Sequence, residues 1–242
     1  MKRAALAALL ALACTEVTGD FGDIVAIELL SPRSVSLEEQ DTVVLVARAL
    51  DLQGNPIADA PISWELLRRD TLPVGIMLDS ASGTIVALSP GTWDVRARVE
   101  ELPTDPVAVR VTPAPDSIAA AGDTALTVPV GTVESPSLLV TLLDLTTTPE
   151  TPAPLASKPV TFQVTFPAFA PGTRSVALVG GTVGEDSLSA TVVTTVQGAF
   201  VVVRRSGAPQ PDSVIVEGTA MTAVGGTVAG SPVRFVVHFP AN

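Results

Sequence analysis

The chain is poor in the groups that most chemistry needs. It has 242 residues with one cysteine, Cys14, and one histidine, His238. A single cysteine cannot close an intramolecular disulfide. A single histidine excludes histidine-based zinc motifs, and His238 lies on the outward side of a terminal run between Val237 and Phe239. No Gly-x-Ser-x-Gly elbow occurs, so nothing marks a serine nucleophile. Basic residues number 14 against 25 acidic ones, a formal charge of −11. That balance excludes nucleic acid as a partner and argues against charge-driven adsorption to anionic lipid. Tyrosine is absent, and seven Phe with two Trp cannot furnish the aromatic girdles of an outer-membrane barrel. The cores must therefore be built from Val, Leu, Ile and Ala.

What is present is alternation. In Pro90 to Val99, Trp93, Val95, Ala97 and Val99 fall on one side while Asp94, Arg96 and Arg98 fall on the other. This is the pattern of a strand with one face in a core, and the Pro-Gly before it is a turn signal. Gly198 to Arg205 reads as a diverged partner, with Phe200 where Trp93 stands. Ile24 to Leu30, Thr42 to Leu50, Ile62 to Leu66, Gly75 to Leu78, Thr84 to Leu88 and Val107 to Val111 read as further strands, and no stretch sustains a helical period. Thr112-Pro113-Ala114-Pro115-Asp116 reads as a semi-rigid boundary. Beyond it Pro159 to Phe162 matches Pro61 to Trp64, and Val233 to Phe239 closes the chain as Val107 to Val111 closes the first half. The expected fold class is all-β: two β-sandwich domains in tandem, 24–112 and 117–242, joined by a linker at 113–116. Trp64, Trp93, Phe162, Phe200 and Phe235 are the expected core anchors. The glycine-rich Gly180 to Gly184 and Gly225 to Gly230 sit between β runs and read as turns, not phosphate cradles.

The start of the chain has its own logic. Met1-Lys2-Arg3 is positive, Ala4 to Ala13 is an unbroken Ala/Leu run, and Cys14 ends it. Ten apolar residues are too few to span a bilayer as a helix but suit a signal peptide. Ala11-Leu12-Ala13-Cys14 resembles the lipobox of bacterial lipoproteins, with Leu one place later than usual. The resemblance implies a signal peptide at 1–13, a lipidated Cys14 and a tether at 14–23. Thr15 after the cysteine resembles lipoproteins sent to the outer membrane. An ordinary secretory signal is the alternative.

Asp51 to Ile57, Ile62-Ser63-Trp64, Ser82 to Ala87 and Pro90 to Trp93 together resemble bacterial immunoglobulin-like domains of group 2. Lys158 to Phe162 and Gly198 to Phe200 are similar to the invasin-type group 1. The resemblance implies an immunoglobulin-like sandwich, often a stalk or adhesive module of bacterial surface proteins, with no catalytic residues to carry over. The expected function is thus that of a non-catalytic cell-envelope lipoprotein. Its membrane partner is held through Cys14, an extracellular protein or glycan is its ligand, and it has no cofactor. The alternative is a secreted hydrolase, or an enzyme's accessory domain, using a carboxylate such as Asp94 with a loop acid. No metal site is expected. The nearest approach to one is Glu38, Glu39 and Asp41 with Glu100, Glu101 and Asp105, loop oxygens suited to calcium, for which solvated charge is the plainer reading.

Overall fold

The computed structural model describes residues 24–67, 75–145, 152–169, 174–184, 187–207 and 211–240, and the regular elements among them are all strands. Cys14, the signal segment and the tether lie outside the described residues.

The first sandwich uses β1 (Ala26–Leu29), β2 (Ser34–Glu38), β3 (Thr42–Val44), β4 (Ala47–Leu50), β5 (Pro56–Ile57), β6 (Ser63–Leu67), β7 (Ile76–Leu78), β8 (Thr84–Ala87), β9 (Gly91–Val99), β10 (Leu102–Pro103) and β11 (Val107–Thr112). One layer holds β1-β4-β5 and β3-β8-β7; the other holds β10-β9-β11-β2, with β6 also paired to β9. Trp93, Val95, Ala97 and Val99 of β9 and Val107, Val109 and Val111 of β11 point inward and are buried, as alternation requires when one face meets a core. Opposite them, Leu45, Ile76, Ile85 and Ala87 come from the other layer into the same cluster.

The second sandwich uses β12 (Ser117–Ala120), β13 (Ala125–Thr127), β14 (Leu138–Asp144), β15 (Ala153–Pro154), β16 (Pro159–Phe166), β17 (Val176–Val179), β18 (Thr182–Val183), β19 (Ser189–Val193), β20 (Ala199–Arg205), β21 (Ser213–Thr219) and β22 (Val233–His238). Its layers are β12-β14-β20-β17, with β15 on β14, and β13-β22-β21-β16-β19-β18. Phe162 and Phe235 are fully buried between them. The two core clusters share no residue.

Both sandwiches follow one plan, and it is the immunoglobulin-like one, with strands A, B, E and D over C, F and G. The first strand pairs antiparallel with a strand of its own layer, β1 on β4 and β12 on β14. The chain then crosses to the other layer and runs parallel to the closing strand, β2 on β11 and β13 on β22. These short crossing strands carry too few apolar residues to show in the sequence. The expected single strand Thr42 to Leu50 is also two. Leu45 N–H donates to Gly83 O at 2.9 Å, while Val46 O accepts from Leu30 N–H at 2.9 Å, so pairing changes sheet there without a break in side-chain alternation.

The strand plan corrects the repeat. β9 lies between β6 and β11, which makes it the F strand. β20 lies between β14 and β17, which makes it the E strand. The counterpart of β9 is β21, between β16 and β22. In register, Trp64 faces Ala97 as Phe162 faces Gly218, and Trp93 faces Val109 as Val214 faces Val237. The partner of Gly198 is Gly83. Both have positive φ, +106° and +71°, and both press against a carbonyl of the B strand region, Val140 O and Leu45 O, where a Cβ would clash. Phe200 is consequently no core anchor: it points outward from β20 and is 53% exposed, because Ala199, Val201 and Val203 take the inward positions.

Candidate functional site at the junction of the two sandwiches

The most buried ion pair among the described residues lies between the sandwiches. Glu38 ends β2 in the first, and Lys158 stands just before β16 in the second. Their side chains are only 12% and 10% exposed, and the Lys158 ammonium donates to Glu38 Oε2. Glu38 Oε1 accepts the Ala223 N–H, from the β21–β22 loop, at 2.9 Å. One carboxylate is therefore held by two separate segments of the second sandwich. The ammonium also donates to Thr112 Oγ1 at 3.4 Å, and that hydroxyl donates to Leu37 O at 3.1 Å.

The backbone around this pair is fixed on both sides. Lys158 N–H donates to Thr194 Oγ1 at 3.0 Å, and Thr194 N–H returns to Lys158 O at 2.8 Å. On the first sandwich Glu39 N–H donates to Thr112 O at 3.0 Å, while Glu39 Oε2 accepts the Ala114 N–H at 3.0 Å. Asp116 N–H donates to Leu143 O, and Asp116 Oδ2 accepts the Leu145 N–H at 2.7 Å. The proline-rich boundary is thus tied down at Ala114 and Asp116. A buried pair of this kind is costly to desolvate, and its additional hydrogen bonds are what make it tenable.

The candidate calcium ligands are placed as follows. Glu38 and Glu39 serve the junction. Asp41 Oδ1 accepts the Thr42 N–H at 2.8 Å. Glu101 pairs with Arg98 at 2.7 Å and Asp105 with Arg33 at 3.1 Å, both near solvent. The carbonyl of Glu100, a residue with φ of 51°, accepts from Arg98 Nε. Among the described residues no three His, Cys, Asp or Glu side chains come together as a metal-binding group. Asp94 faces outward on β9, opposite Leu67 and Ala108. His238 is exposed at the end of β22.

Other charges hold turns. The carboxyl of Asp51 lies below its ordinary range because the Asn55 N–H, then the Asn55 side-chain amide, donate to it. Asp79 is lowered by the Ala81 N–H, then by Ser82. Both sit at the surface and order their loops. A surface cleft of about 490 Å³ beside β1 is lined by Ile27, Glu28, Leu29, Arg33, Thr104 and Asp105. Its charged walls are engaged in pairs, Arg33 with Asp105 and Glu28 with Arg48. Arg204 pairs with Glu134, whereas Arg205 is partly buried. Its guanidinium lies 5.2 Å from the Phe239 ring centroid, with Nε and Nη2 buried.

Lys158 was legible only as a rarity: it is one of two lysines, the other being Lys2. Nothing local connects it to Glu38, 120 residues away.

No protein-family model matches this sequence, and no curated protein does. Solved structures do. Domains 4 and 5 of the S-layer protein SbsC are 15% identical over 90% of this chain and all of theirs, with a TM-score of 0.33. The Yersinia pseudotuberculosis adhesin InvE is 16% identical over 89% of this chain and 59% of its own, at 0.36. The Escherichia coli adhesin FdeC is 15% identical over 89% and 63%, at 0.43. At this level the likenesses carry no argument about function; the strand pairing itself carries the fold.

Proposed function

We propose that this chain is a non-catalytic bacterial cell-envelope lipoprotein whose two immunoglobulin-like domains act as a rigid spacer or binding module. The observation that carries the reading is the junction. Glu38, Lys158, Thr112 and Ala223 tie one sandwich to the other, which serves a stalk that must hold its far end away from a surface. The envelope address rests on Lys2 and Arg3, the Ala4 to Ala13 run and Cys14. Acyl chains on Cys14 supply about 0.8 kcal/mol per buried methylene, and more than one chain makes the attachment stable. With −11 of formal charge the protein itself adds no electrostatic attraction to an acidic bilayer, so the lipid does the anchoring. An extracellular protein or glycan is the expected ligand.

Expression of wild type and Cys14→Ala in a bacterial host, followed by membrane fractionation and intact mass, tests the anchor. Wild type is expected in the membrane fraction with added acyl mass and Cys14→Ala in the soluble one. Identical soluble species without acyl mass would refute it.

A further inference from the structure

The end of the second sandwich away from the junction carries two arginines that meet no acid among the described residues. β14 runs toward the junction and ends at Asp144, next to Leu145, whose N–H is held by Asp116. β20 pairs antiparallel with β14 and so ends at the opposite pole, where Arg204 pairs with Glu134 at 2.6 Å. Arg205 follows on the inner side. Its guanidinium lies 5.2 Å from the Phe239 ring centroid, and its buried Nε and Nη2 have no hydrogen-bond partner. Arg205 stands opposite Val176 in register, and the pairing continues as Ser206 N–H donates to Ser175 O at 2.9 Å. Alternation from Val176 therefore puts Arg174 on the same side of the sheet, diagonal to Arg205, a separation that long side chains span. Arg174 is exposed, and neither it nor Arg205 is in an ion pair with a described residue, Asp212 included.

Adjacent cations without a counter-ion repel each other, and buried N–H groups without an acceptor are costly. Arginine is treated otherwise elsewhere in the chain: Arg33, Arg48, Arg96, Arg98 and Arg204 each meet a carboxylate. Arg110 and Arg234 stand singly on open strand faces, opposite Thr92 and Glu217. A planar fork of oxygens would answer Arg174 and Arg205 together, since guanidinium matches carboxylate and phosphate in geometry as well as charge. Only the Phe239 ring holds the Arg205 head, so no hydrogen bond opposes the side-chain rotation that brings its free N–H groups to an arriving oxygen. The formal charge of −11 does not forbid this, because at physiological salt charges beyond ~8 Å are largely screened and the nearest groups decide. We propose that Arg174 and Arg205 form a site for an oxyanion, a carboxylate or phosphate group carried by the extracellular ligand. The inference rests on the binding role proposed above and not on the lipid anchor.

Heteronuclear NMR of the arginine Nε–H groups, in the full chain carrying Cys14→Ala, reads the site directly. Sodium chloride is exchanged for sodium glucuronate or sodium phosphate at constant ionic strength. The Arg174 and Arg205 signals are expected to shift saturably, with half-saturation at about 1 mM, while those of Arg33 and Arg98 stay in place. Saturation by glucuronate alone assigns a carboxylate, by phosphate alone a phosphate, and by both an oxyanion of either kind. Arg174→Ala, at an exposed position, should raise the half-saturation concentration at least tenfold. Arg205→Lys keeps the charge without the fork and should do the same. Shifts that grow linearly, or that Arg33 and Arg98 share, overturn the site, as does a half-saturation that neither variant changes. Membrane fractionation of the wild type is independent of these titrations, so the anchor and the oxyanion site fail separately.

Discussion

At the scale of single residues, each tryptophan of the first sandwich is seated against glycine. A Cβ at Gly75 would lie 2.3 Å from Trp93 Cζ2, and one at Gly91 would lie 2.5 Å from Cη2. Gly83, with φ of +71°, leaves the same kind of space for Trp64 Nε1, 2.6 Å from where its Cβ would be. In a chain without tyrosine these two rings are the largest bodies in a core otherwise made of Val, Leu, Ile and Ala, so the glycines are part of the packing. Trp93→Ala should cost about 3–5 kcal/mol by leaving a cavity. Gly75→Ala should cost about 1–3 kcal/mol by overfilling the same place. Urea unfolding followed by the fluorescence of the remaining rings measures both. An unchanged midpoint in either variant would mean that the ring of Trp93 is not confined.

At the scale of strands, the two phenylalanines that the sequence treats alike have opposite roles. Phe162 on β16 is fully buried, and Phe200 on β20 is half exposed beside Leu139. Phe162→Ala should therefore destabilise by about 3–5 kcal/mol, whereas Phe200→Ser should cost at most about 1 kcal/mol. Comparable losses in denaturant midpoint would restore Phe200 to the core. The contrast shows what is legible in sequence. β9, β11 and β22 can be read residue by residue, because one face of each is in a core and the other in water, and period-two alternation records that directly. Which strand of one sandwich answers to which of the other cannot be read that way. A glycine followed by a β run opens both β9 and β20, and only the pairing partners tell an F strand from an E strand. β2 and β13 escape for a related reason: Ser34–Glu38 and Ala125–Thr127 are short and half wet, and their place is fixed by parallel pairing with strands far along the chain. The junction was the least legible of all, since its ion pair joins residues with no local pattern in common.

At the scale of the whole molecule, two cores that share no residue are tied at a few polar points. Glu38 is the centre of that tie: it accepts from Lys158 and from Ala223 N–H while its neighbour Glu39 holds the start of the linker. The first sandwich has no cationic donor matching Lys158. The residue before its C strand hairpin, in the place of Lys158 before Pro159, is Ala60 before Pro61, so the tie joins these two domains to each other and does not propagate copies end to end. Removing one partner of a buried pair leaves the other charge unmatched, a loss of about 3 kcal/mol. Lys158→Ala should thus loosen the junction while both cores, which contain neither residue, stay folded. Residual dipolar couplings of backbone amides in weakly aligned protein measure this most directly. The account predicts that amides of both sandwiches in the wild-type chain fit one alignment tensor, and that Lys158→Ala splits them into two tensors of different magnitude with unchanged amide patterns inside each sandwich. Two different tensors already in the wild-type chain would contradict it.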